Sequence, residues 1–113
     1  MPKDRHALMG ILDAVRAIEQ YIAPFSSAEK LFSSKVHFDA TLMNFIVIGE
    51  MVDRISDEFK AANPDVDWKN VKGLRNIIAH DYFGVDAEEI WQICKSRIPA
   101  LKIEIEKALI SAG

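Results

Sequence analysis

Apolar residues recur at helical spacing along nearly the whole chain. Between residues 4 and 23, Leu8, Ile11, Leu12, Val15, Ile18 and Ile22 trace one face, while Asp4, Arg5, Asp13, Arg16 and Glu19 fall mostly elsewhere. Pro24 ends this first helix. Ser26-Ser27-Ala28-Glu29 has the form of a capping box with Ser26 as N-cap, opening a short helical turn that closes near Ser33-Ser34. Phe38, Leu42, Phe45, Gly49, Val52, Ile55 and Phe59 then advance in steps of three and four, which predicts a second long helix over about 35–62. Ile46, Ile48 and Met51 widen that stripe, so the helix should bury more than one face, against its own chain and against a second copy. Gly49 in its middle costs about 1 kcal/mol against alanine. Such a glycine is tolerated where another backbone comes close.

Asn63-Pro64-Asp65-Val66-Asp67 reads as a turn, since Pro64 prevents continuation from Ala62. A third helix is expected over about 68–82, capped by Asp67 or Asn70 and broken by Phe83-Gly84-Val85. Asp86 is a good N-cap for the last helix, with Glu88 and Glu89 in its first turn. Ala87, Ile90, Trp91, Cys94, Ile98, Leu101, Ile105, Ala108 and Leu109 form its buried stripe, and Pro99 predicts a kink near Lys95–Arg97. The expected architecture is an all-α antiparallel bundle of four to five helices, without a strand hairpin.

Composition narrows this picture. The 113 residues suit a single domain, 1–113, with one hydrophobic core. Half are hydrophobic and 27% charged, as in ordinary globular proteins, and only 5 glycines and 4 prolines favour long helices over a sheet rich in turns. A formal charge of −3 argues against a broad basic surface coating nucleic acid, but leaves room for a local phosphate site. The lone Cys94 cannot form an internal disulfide, the first residues lack a signal peptide's apolar run, and no window suits a membrane span. A cytoplasmic protein, away from membranes, is expected.

Chemistry concentrates in residues 75–82, R-N-I-I-A-H-D-Y. Leu74, Ile77 and Ile78 should anchor one side of this segment in the core. Arg75 offers five donors in a planar fork suited to phosphate oxygens, and His80 exchanges a proton near neutral pH. Together they suffice for RNA cleavage: a histidine base takes the proton of a 2′-hydroxyl, and the arginine stabilises charge on the phosphoryl oxygens. No metal is required when the nucleophile belongs to the RNA. An exposed Arg and His near a helix end are often merely solvated, however, and spacing adds a constraint. Positions 75 and 80 lie ~140° apart around one helix, so either the helix unwinds before His80 or a second subunit completes the site. Tyr82 falls within ~20° of Arg75.

The pattern R-x4-H-x-Y at Arg75, His80 and Tyr82 resembles the signature of HEPN-domain proteins, specifically the HepT-like toxins of toxin–antitoxin pairs. Ile48-Gly49-Glu50, Pro64 to Trp68, Gly73-Leu74-Arg75-Asn76, Asp81-Tyr82-Phe83, Val85-Asp86 and Ile90-Trp91 extend the resemblance over most of residues 6–110. It implies a HEPN-like bundle that dimerises, and a metal-independent endoribonuclease with Arg75 and His80 as the catalytic pair in a cleft between two copies. It also implies a partner, an MntA-like minimal nucleotidyltransferase that transfers AMP from ATP to Tyr82. Anionic AMP beside Arg75 would occupy the phosphate site and repel RNA. The resemblance implies no cofactor. Asn76 is a candidate to orient Arg75 or bind RNA, and Glu50 to pair with Arg75 or Arg54. The alternative is a non-catalytic subunit that binds a nucleotide or the nucleotidyltransferase.

The remaining polar residues carry weaker signals. His6, His37 and His80 show no metal-ligand spacing, and Asp53, Asp57 and Glu58 are scattered along a helix, so no metal site is expected. Cys94 is read as a small core residue. Trp68 and Trp91 are read as packing residues, with Trp68 also placed to stack on a base.

Overall fold

Helices account for most of the backbone in the computed structural model, which describes residues 2–81 and 86–112, and no strand occurs among the described residues. The first helix, α1 (Pro2–Ile22), is the centre of the bundle: it packs chiefly against α3 (Lys35–Asp53) and α8 (Ile98–Ala112). Leu8, Ile11, Leu12, Val15, Ile18 and Ile22 are all buried, so the apolar stripe is the packing face.

Asp4 departs from the expected pattern. It belongs to the polar set of α1, yet it is only 2% exposed. Its carboxylate accepts from the Ser56 backbone N–H (2.7 Å) and the Ser56 hydroxyl (2.9 Å). Charge-assisted bonds of this kind offset the burial of an acid. They also explain why the expected 35–62 helix is two helices. After α3, Arg54 and Ile55 tighten the last turn, and Ser56 becomes the N-cap of α4 (Asp57–Ala62), accepting from the Phe59 N–H at 3.2 Å. The apolar periodicity survives the corner because Ile55 still turns inward.

Three further boundaries follow from local chemistry. The cap of α2 (Ala28–Ser33) is Ser27, whose hydroxyl accepts from the Lys30 N–H, and not Ser26, whose hydroxyl takes the Lys30 ammonium. With the cap displaced by one residue, Glu29 no longer stands at the capping-box position. Asp67 caps α5 (Trp68–Lys72) by accepting from Asn70. The expected 68–82 helix is interrupted at Gly73, where α5 gives way to α6 (Leu74–Asp81). The Gly73 N–H closes α5 on the Lys69 carbonyl, and the Gly73 carbonyl starts α6 by accepting from Asn76.

The last helix begins as expected, with Asp86 accepting from Glu88 and Glu89 at the start of α7 (Ala87–Gln92). The distortion predicted from Pro99 takes the form of a widened π turn over Ile93–Arg97 that leads into α8. Pro99 has no N–H for the Lys95 carbonyl and its ring crowds that group, so the backbone expands one turn earlier. Ile90, Cys94, Ile98, Leu101, Ile105 and Ala108 remain buried through the distortion.

Candidate functional site

The site is built on a close helix approach. A Cβ placed on Gly49 would lie 2.8 Å from the Arg75 Cβ and 2.9 Å from the Lys72 carbonyl oxygen. Glycine at this position therefore lets α3 seat against the α5–α6 junction of its own chain. The backbone whose approach Gly49 accommodates is thus intramolecular.

That approach delivers Arg75 between two acids. Its Nη1 donates to Glu50 Oε1 at 2.9 Å and to Asp53 Oδ2 at 2.5 Å. Glu50 and Asp53 are three residues apart on α3 and so share a face. Lys72 joins from the end of α5, its Nζ 2.9 Å from Asp53 Oδ1. Two cations spaced by three thus meet two anions spaced by three. The result is a compact quartet of zero formal charge, with the Arg75 side chain 27% exposed.

The electrostatics agree with the geometry. The Asp53 carboxyl is held below the ordinary carboxylate value, first by the hydrogen bond from Lys72, then by Arg75, against a smaller opposing effect of burial than that of Lys72. Arg75 is pushed further toward its charged form, chiefly by the hydrogen bond to Asp53 and less by Glu50. Only Nη1 of the guanidinium is engaged among the described residues, so Nε and Nη2 keep donors to offer an incoming oxyanion. The acids fix the orientation of the guanidinium, and they also compete with any anion that approaches it.

Of the residues singled out in the sequence, the structure brings Arg75 and Glu50 together. Asn76 is exposed and makes no hydrogen bond to Arg75, whose orientation comes from Glu50 and Asp53 instead. Leu74 is buried and Ile77 packs on the core, which anchors α6. The helix runs unbroken from Leu74 through Asp81, so it does not unwind before position 80, and positions 75 and 80 stay ~140° apart on it. The side chain of His80 and the whole of Tyr82 lie outside the described residues.

Asp53, which in the sequence is one of several acids scattered along a helix, proves to be a partner of Arg75. The available signal was the pairing of Glu50 and Asp53, one and four residues after a mid-helix glycine, with Lys72 and Arg75 at matching spacing. Cys94 is buried, and desolvation pushes its thiol up to about 12, which suits a core residue and not a nucleophile. Trp68 donates its indole N–H to the Asn63 carbonyl and meets Phe59 edge-on, closing the 63–67 turn. Among the described residues no group of three or more His, Cys, Asp or Glu could hold a metal ion, and no helix is long and apolar enough to cross a membrane.

Comparison with known proteins places these residues in a wider context. Residues 11–108 match the family described as Ribonuclease HepT-like. The chain is similar to a probable ribonuclease HepT of Thermococcus cleftensis, 32% identical over 100 residues that cover 88% of this chain and 90% of that protein. It is also similar to a putative RNase of Methanocaldococcus jannaschii, 31% identical over 99 residues with the same coverage of 88% and 90%. No solved structure matches.

Proposed function

The chain belongs to the HepT-like ribonuclease family, and we propose that it is a toxin-type endoribonuclease that works without a metal, as a homodimer, with Arg75 and His80 as its catalytic pair. The observation that carries this reading is the held guanidinium: Arg75 is fixed by Glu50 and Asp53 at the start of the helix that also bears position 80.

In the proposed reaction His80 accepts the proton of a ribose 2′-hydroxyl. The 2′-oxygen bonds to the adjacent phosphorus, and the bond from phosphorus to the 5′-oxygen breaks. The products are a 2′,3′-cyclic phosphate and a 5′-hydroxyl, whose proton comes from an acid such as the second copy of the motif. Arg75 stabilises the charge that gathers on the phosphoryl oxygens through its remaining donors.

Two copies are needed because one unbroken helix directs positions 75 and 80 to different sides. A surface for the second copy is available on α3. Val36 and Met43 are exposed and Ala40 and Val47 half-buried, an apolar row at helical spacing that ends on Glu50. In this reading a cognate minimal nucleotidyltransferase silences the site. The Tyr82 hydroxyl loses its proton and attacks the α-phosphate of ATP, pyrophosphate leaves, and AMP stays on the phenol near Arg75.

The test is cleavage of RNA in EDTA by purified protein. Arg75→Ala and His80→Ala should each cost roughly 10²-fold or more in rate. Cleavage unchanged in both variants would refute the assignment, and a stable monomer cleaving as fast as the dimer would refute the shared site. Intact mass of protein co-expressed with the nucleotidyltransferase should show AMP additions that Tyr82→Phe removes.

A second reading is favoured by the two carboxylates already on Arg75 and the charge of −3. In it the dimer is a non-catalytic subunit that binds the nucleotidyltransferase or a nucleotide. Absence of metal-free cleavage by the wild type, together with a stable complex with that partner, would select it.

A further inference from the structure

Where the end of α3 meets α1, the surface differs in kind from the apolar row. Lys3, His6, Ala7 and Gly10 follow the spacing of one face of α1. Met51 in the last turn of α3 and Arg54, the residue that caps it, meet that face. Lys3, His6, Ala7, Met51 and Arg54 line a cavity of ≈ 370 Å³, within the range of small-ligand sites. Its floor is apolar: Ala7 is buried, and Gly10 lets Met51 lie close, since a Cβ there would sit 2.9 Å from the Met51 Sδ. Its rim holds three basic side chains, all exposed, and none has an ion pair or hydrogen bond among the described residues.

This cavity adjoins the Arg75 quartet. Lys3 and Arg54 also line a neighbouring space of ≈ 670 Å³ together with Asp53, the acid that binds Arg75. The buried acid of that wall, Asp4, is already satisfied by Ser56, and Asp53 by Lys72 and Arg75. The exposed Asp57 also lines this neighbouring space. In a chain of net charge −3, unpaired basic groups over an apolar floor are a local exception.

Phosphate oxygens seek unpaired cations, and an unstacked base seeks an apolar or ring surface, so the combination suits one nucleotide of a single strand. We propose that the Lys3–His6–Arg54 cavity is an RNA subsite. It holds a nucleotide flanking the scissile phosphate, with the phosphate on Lys3 and Arg54 and the base against Met51 beside His6. The inference rests on the ribonuclease reading and names where that enzyme grips its substrate.

The test is fluorescence anisotropy with a labelled 2′-O-methyl oligoribonucleotide, which binds without being cleaved, titrated at several salt concentrations. Lys3→Ala/Arg54→Ala should weaken binding at least ~10-fold. It should also lower the log–log salt slope by about 1.4, two phosphate contacts at roughly 0.7 each for a single strand. Lys30→Ala/Lys107→Ala, the same charge change at exposed positions elsewhere, should leave the slope as in the wild type. Met51→Ala should weaken binding several-fold with the slope unchanged. An unchanged affinity and slope in the Lys3/Arg54 variant, equal effects from both lysine-containing pairs, or no binding by the wild type would each overturn the subsite. Wild-type protein that binds the oligonucleotide but leaves the unmodified RNA intact would sink the ribonuclease reading alone.

Discussion

Substituting Gly49 by alanine tests the helix approach on which the quartet depends. An alanine Cβ would stand 2.8 Å from the Arg75 Cβ, 2.9 Å from the Lys72 carbonyl oxygen and 3.0 Å from the Arg75 Cγ. One of these neighbours is backbone, so no single side-chain rotation relieves the clash. Overpacking of this kind costs about 1–3 kcal/mol, and alanine in a helix interior returns about 1 kcal/mol relative to glycine. The net change in stability should therefore fall between about zero and 2 kcal/mol of destabilisation. Activity should suffer more. Arg75 must move away from α3, and a misplacement of ~1 Å in a reacting group can cost ~10²-fold in rate. The assay pairs urea unfolding, at fixed protein concentration, with single-turnover RNA cleavage. A variant about 1 kcal/mol more stable than the wild type and fully active would refute the argument, because it would show that only helix propensity operates at this position.

Other perturbations probe separate links. Asp4→Ala removes two charge-assisted hydrogen bonds to Ser56 and should cost about 2–3 kcal/mol, roughly 10 °C in Tm by calorimetry; a shift under 2 °C would show that the α3–α4 corner does not need this acid. Because Lys72 and Arg75 lower the Asp53 carboxyl, its contribution is present above the ordinary carboxylate range and is lost as pH falls through the lowered value. The midpoint difference between wild type and Asp53→Asn should then be greatest near neutral pH and shrink toward pH ~3, and a difference independent of pH would contradict that linkage. Cys94, with its thiol pushed up to about 12 by burial, should resist an aromatic disulfide reagent at pH ~8 in the native protein and react at once in denaturant. Rapid native labelling would mean that the last helix opens there.

Features set by neighbouring residues could be read from the sequence. The stripes of α1 and α3, the Asp86 cap and the location of the Pro99 distortion each depend on a few adjacent positions. The corner at 54–56 could not be read this way, because it is made by Asp4, which lies 52 residues from Ser56. Within its own segment Ser56 is only a polar residue on a helical pattern. Arg75 announced itself through its residue type and motif, whereas Asp53 acquires its role only when α5 brings Lys72 to the same face of α3. Around the site, sequence named the cation and the structure supplied one of its two anions.

The widened turn at Ile93–Arg97 also bears on how the chain tolerates changes of length. Buried residues there step by four from Ile90 to Cys94 to Ile98, and in a regular α-helix two such steps would rotate the apolar row by about 80° away from α1. The extra residue of the wide turn absorbs that rotation, so the segment behaves as an insertion that the fold has taken in without re-registering α8. A single-residue deletion at exposed Ser96, combined with Pro99→Ala, should therefore be accommodated far better than a deletion within Leu101–Ala108. Single-residue length differences among family members should gather at the same place.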